Sequence, residues 1–163
     1  MNMGLKKISV VVVATGALLA VPSAFAGTLP KIPIFTGTPS SHDFQVEPSS
    51  ITYTGDGSGF FAGGHRPHSH RARSLKWKSW TANGASGSGF NWLNNCRPDC
   101  AHGKFTLYPV TLKLSRPRHE HHHLVFTRMN VTYTGSKPGR VKHRELWKLV
   151  FSSGTWSWTF PIQ

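Results

Sequence analysis

The sequence predicts an all-β protein: a single antiparallel β-sandwich or small barrel of about seven or eight strands, preceded by a signal peptide and an extended arm. Two observations carry this expectation. Apolar residues recur with a period of two, most cleanly where Trp156, Trp158 and Phe160 alternate with Thr155, Ser157 and Thr159, the pattern of a strand buried on one face. Glycine-rich turns also punctuate the chain, and no stretch of ten or more residues joins helical spacing to helix-forming composition.

The chain opens on a secretory pattern. Lys6 and Lys7 precede an uncharged run from Ile8 to Val21, Pro22 ends it, and Ala24-Phe25-Ala26 offers the small-x-small cleavage site of an export signal over 1–26. The apolar run is shorter than the ~20 residues of a membrane span. No cysteine follows the cleavage site to carry a lipid, and no later stretch is apolar enough to cross a bilayer. The processed protein is therefore expected outside the cytoplasm, secreted or associated with the cell wall. Residues 27–49, with Pro30, Pro33, Pro39 and Pro48 among many Thr and Ser, read as an extended, partly disordered arm. Residues 50–163 read as the all-β domain.

Within that domain SITYTG is β-branched and aromatic, GDGSG turns the chain, and GFFAG is a short apolar run. A basic loop follows from Gly64 to Arg73. In SLKWKSW, Leu75 and Trp77 face one side and Lys76 and Lys78 the other, with Trp80 on the lysine side. ANGASGSG is too Gly-rich for a helix, and FNWL leads to CRPDC. Long strands then follow: Tyr108, Val110, Leu112 and Leu114 share one face, and Val125, Met129, Val131 and Tyr133 share another. ELWKLVF brings Trp147, Leu149 and Phe151 together. TYTGDGSG (52–59) and TYTGSKPG (132–139) match locally, as two similar strand-to-turn endings.

Cys96 and Cys100 are the only cysteines. Under the oxidising conditions outside the cytoplasm they are expected to form a disulfide, which over so short a loop contributes about 2 kcal/mol and fixes the turn around Pro98-Asp99. A metal site using Cys96, Cys100 and His102 is the other reading, without a second ligand pair to support it.

The strings LKWKSW, ASGSGFNWLNNCRPDCAHGKF, YPVTLKLSRP and LVFTRMNVTYTG together resemble a group of uncharacterised small secreted actinobacterial proteins. Their pattern is W-x-x-W (Trp77, Trp80), a small-residue turn (Ala85 to Gly89), C-x-P-x-C-A-x-G (Cys96 to Gly103) and F-T-R-M (Phe126 to Met129). The resemblance spans roughly residues 50–160. It implies an exported all-β domain with one disulfide, and it carries no activity, cofactor or active site with it.

The charge balance narrows the partners. Lys and Arg number 19 against 6 Asp and Glu, a net +13, which falls by two to +11 without Lys6 and Lys7. Such a surface favours anionic polymers. Two segments concentrate the charge: GGHRPHSHRAR, with Arg66, Arg71 and Arg73, and SRPRHEHHH, with Arg116 and Arg118. The guanidinium fork suits phosphate and carboxylate, and the two segments together would make one basic face. No paired aromatics of an RNA-binding strand accompany them, so a specific nucleic-acid role is not expected. On an extended backbone His119, His121 and His123 would project to one face and could hold a divalent metal, although a loop would leave them without supporting partners; no other cofactor is expected. The tryptophans could stack on sugars, Trp80 in particular if it faces outward. No nucleophile elbow, zincin spacing or phosphate loop is present, and the six carboxylates form no recognisable catalytic pair. The expected function is that of a secreted, non-enzymatic all-β protein contacting anionic envelope polymers through basic loops. A metal-binding protein or metal-dependent enzyme, and a structural or interaction module of the envelope, are the alternatives.

Overall fold

The computed structural model describes residues 28–35, 42–65 and 71–160. The expected export signal and Arg66 lie outside them. Ten strands are present and, among the described residues, no helix, so none is long and apolar enough to cross a membrane. In chain order they are β1 (Ile32–Phe35), β2 (His42–Gln45), β3 (Ile51–Thr52), β4 (Gly59–Ala62), β5 (Lys76–Trp80), β6 (Gly84–Asn94), β7 (Phe105–Glu120), β8 (His123–Tyr133), β9 (Arg144–Ser152) and β10 (Thr155–Thr159).

Eight of these form one antiparallel sheet. Its strand order is β10-β9-β8-β7-β6-β4-β3, with β5 also paired to β6. The edge of β6 away from β7 is shared end to end: β4 pairs with Phe90–Leu93 and β5 with Ala85–Ser88. The sheet curls into a half-barrel. Phe61 on β4 and Tyr53, just past β3, meet Trp147 on β9 with ring centroids 5.3 and 4.8 Å apart. The concave face holds the core, with Leu112, Met129, Val131 and Phe61 fully buried. The expected alternation produces this face in β7, where Val110, Leu112 and Leu114 are buried while Lys113 is exposed, and in β8 from Met129 to Tyr133, whereas the neighbours Val125 and Phe126 are both fully buried and Phe160 is 43 % exposed.

Three expectations are corrected. The segment from Gly84 to Gly89 is not a turn but the first half of β6. Its residues are small because neighbours lie directly on them: a Cβ on Gly87 would come within 2.7 Å of the Trp77 ring, and one on Gly89 within 2.6 Å of Leu75. Trp80 does not oppose Trp77. The ladder pairs Trp77 with Gly87, Ser79 with Ser86 and Trp80 with Ala85, a β-bulge at Lys78. The extra residue shifts the two-residue alternation, so both indoles are half-buried against the core, edge to face at 4.7 Å.

The N-terminal segment, lastly, expected as an extended and partly disordered arm, is tied to the domain in its described part. β1 and β2 form a hairpin, and Ile32 is fully buried in the main core. β9 pairs with β8 from Arg128 to Thr132, which leaves the edge of β8 at Leu124–Phe126 to Lys31: its N–H donates to Leu124 O at 2.9 Å, and Phe126 N–H donates to Lys31 O at 3.1 Å. The prolines suit this place because an edge segment needs few ladder donors. Their carbonyls are used as well, accepting the indole N–H groups of Trp80 (at Pro30) and Trp77 (at Pro48) at 2.8 and 2.9 Å.

Candidate anion-binding groove

The hairpin of β7 and β8 turns through two residues, His121 and His122, at φ 45° and 67°. Two consecutive left-handed residues make a turn that matches the twist of the strands. Glu120 lies opposite His123, and His119 opposite Leu124. Directly opposed residues share a face and successive ones alternate, so His119 and His123 are on opposite faces of the hairpin. The common face expected for His119, His121 and His123 required a continuous extended backbone, which the turn interrupts. Two of the rings pack on aromatics. His123 stacks on Phe44 at 3.6 Å and 10°, and His121 lies on Phe151 at 3.8 Å. Among the described residues the one close group of three metal-ligand side chains is Asp56, Cys96 and Cys100. Its sulfurs are joined in the disulfide, at 2.05 Å.

Beside this hairpin the sheet gathers positive charge. Arg116, Arg118, Arg128 and Lys148 surround a groove of about 250 Å³, with Glu120 its one carboxylate. The register explains the meeting. Arg128 on β8 pairs with Lys148 on β9 and with Ser115 on β7, and Arg116 and Arg118 follow Ser115 directly, so the four cations lie close together on three adjacent strands. Arg116 has φ 54° and its carbonyl accepts the Thr127 hydroxyl at 2.9 Å. None of the four cations is ion-paired with a described residue. Among the described residues the one salt bridge is His102–Asp99, at 2.9 Å in the cysteine loop. Four mutually repelling cations with one nearby acid favour a bound anion. Phe151 and Trp156 form the apolar end of the groove.

Arg73 does not join them. It is bonded through its backbone to Gly63 and Gly64 and lines a separate concavity with Lys76, Phe90 and Pro109–Thr111. Along β7 that lies some six or seven residues, about 20 Å, from Arg116 and Arg118. Arg71, next to the His65–Ala72 bridge, belongs to the same loop. The single basic face expected from the two segments is thus split. The structure unites Arg116 and Arg118 and adds Arg128 and Lys148, two strand cations whose outward position was the signal available.

The interior holds a second polar group. Tyr53 donates to Asn91 Oδ1 at 2.7 Å, and Asn91 Nδ2 donates to the Tyr133 hydroxyl at 2.9 Å. The matching TYTG strings therefore supply the two phenols that flank one asparagine. Burial pushes the Tyr133 hydroxyl up to about 12, and burial, then the neighbouring Tyr133, raises Tyr53 as well. Glu145 is buried beside them and accepts the Trp147 indole N–H at 3.1 Å. These phenols stay protonated at neutral pH and act as hydrogen-bonded ties between strands. Comparison with protein-family models, with curated proteins and with solved structures gives no match.

Proposed function

We propose that the protein is an exported, non-enzymatic all-β protein that holds anionic polymers of the cell envelope in the groove of Arg116, Arg118, Arg128 and Lys148. One observation carries this reading: four cations converge on one groove without an ion-pair partner among the described residues. The Lys6-Lys7 start, the apolar run and the Ala24-Phe25-Ala26 site support export, and the net positive charge supports an anionic partner. The contact is electrostatic, so it weakens steeply with salt as counterions compete for the polymer.

Elution from immobilised heparin against a salt gradient tests this. The wild type is expected to elute well above physiological ionic strength. A variant with Arg116, Arg118, Arg128 and Lys148 all changed to Gln is expected to elute far earlier than one with the exposed cations Arg97, Lys104, Arg140 and Lys142 changed to Gln, which carries the same net charge. Equal elution of the two variants overturns the assignment to the groove. Elution of the wild type at or below physiological salt overturns the function.

A further inference from the structure

The end strands of the curled sheet, β3 and β10, are not hydrogen-bonded to each other. Across this seam lies a cavity of about 190 Å³. Phe35, Tyr53, Trp156 and Trp158 give it aromatic walls, and Thr52 and Ser157 also line it. Among the described residues neither of their hydroxyls has a hydrogen-bond partner, whereas that of Thr54 is committed to the Gly59 backbone. Leu149 and Trp156 line both this cavity and the cationic groove. An apolar recess and an anion site are therefore separated by one indole and one leucine.

We propose that the two concavities form one bipartite site for an acidic glycan. One sugar ring occupies the seam against the aromatic walls, and the carboxylate, sulfate or phosphate of the adjoining residue sits among the cations. The size is right for a single ring, since a cavity of about 150 Å³ admits benzene. The chemistry selects a sugar over an acyl chain. A pyranose offers C–H faces to the aromatic walls and hydroxyls to the polar groups beside them, whereas an acyl chain makes the apolar contacts alone. Charge complementarity then selects an acidic glycan over a neutral one. The inference rests on the groove binding polyanions, and names which polyanion it takes.

Calorimetry at fixed ionic strength with a hyaluronan hexasaccharide, chitohexaose and a polyglutamate of equal charge tests it, with oligothymidylate and phosphatidylglycerol vesicles as the rival chemistries. The wild type is expected to bind the hyaluronan fragment at least tenfold tighter than polyglutamate, and chitohexaose weakly. Ser157→Trp, which fills the seam from an exposed edge position, is expected to remove that preference while leaving polyglutamate affinity within twofold. Thr52→Val is expected to lower the preference several-fold. Equal affinity for hyaluronan and polyglutamate overturns the glycan site but leaves the groove as a general anion binder. Tighter binding to oligothymidylate or to vesicles than to hyaluronan overturns it in favour of that class. Failure to bind any of the anions overturns the groove reading and this inference with it.

Discussion

Trp147 and Trp158 are both buried, 2 % and 5 % exposed, on adjacent strands, but their indole N–H groups differ in circumstance. Trp147 donates to the buried carboxylate of Glu145. Trp158 Nε1 is buried with no acceptor among the described residues. Removing one partner of a buried hydrogen bond leaves the other unsatisfied, at a cost of about 1–3 kcal/mol, whereas deleting an orphaned donor removes a desolvation penalty. Trp147→Phe is therefore expected to destabilise the protein by roughly 1–3 kcal/mol more than Trp158→Phe, since both lose a similar part of the indole. Urea unfolding midpoints measure this, and equal losses would show that the Glu145 contact contributes nothing net. The same scale explains what was legible at the site. Arg116 and Arg118 stood out because only Pro117 separates them in the chain. Arg128 and Lys148 meet them only through the pairing of β7, β8 and β9, and strand register is not written in any one local segment. Asn91 was silent for the same reason, since its two tyrosines are 38 and 42 residues away.

The elements read from the sequence were those whose alternation holds over several residues, as in β7 up to Leu114 and in β8 from Met129 to Tyr133. One buried face follows from it. Where another constraint overrides alternation, periodicity fails. β6 begins with small residues because Trp77 and Leu75 lie over Gly87 and Gly89, and β5 changes phase at the Lys78 bulge. The β1–β2 hairpin is short, proline-bearing and held by indole-to-carbonyl bonds no local pattern announces. The β7–β8 turn is a further case. It needs two left-handed residues, for which Asn-Gly is the favoured pair, yet it uses His121-His122. His121 packs on Phe151, and His122 is exposed with no ring contact or side-chain hydrogen bond among the described residues. Left-handed backbone costs a non-glycine residue about 1–2 kcal/mol, partly offset by the extra unfolded-state freedom of glycine. His122→Gly is thus expected to raise stability by roughly 0.5 kcal/mol, and His121→Gly to gain less or lose, because it forfeits the Phe151 contact. Thermal melts of the two variants compare them; a destabilising His122→Gly would mean that the ring is held in the native state.

At the scale of the whole molecule, the sheet is curled without being closed by hydrogen bonds, so side chains carry the closure. The chain Tyr53–Asn91–Tyr133 ties the end of β3 to β6 and β8, and Tyr53 and Phe61 pack on Trp147 of β9. This arrangement makes stability depend on alkaline pH. A tyrosine ionises near 10.0 in the unfolded chain, and burial holds Tyr133 up to about 12 in the fold. Below pH ~10 both states keep the proton and pH has no effect through this group. Between about 10 and 12 the unfolded state releases it and the native state does not, so unfolding is favoured as pH rises, by up to ~1.4 kcal/mol per pH unit per tyrosine. Tyr53 is shifted in the same direction and steepens the fall. Tyr133→Phe leaves Asn91 Nδ2 without its acceptor and is expected to lower stability at neutral pH by about 1–3 kcal/mol. The discriminating quantity is the slope. From pH 10 to 12 the stability of Tyr133→Phe should fall less steeply than that of the wild type, so the two converge. Lysine titration acts on both proteins alike and cancels in the difference. Urea unfolding at half-unit steps of pH decides the matter: parallel curves would mean that Tyr133 ionises in the fold as it does in water, and that the interior polar chain does not hold its proton.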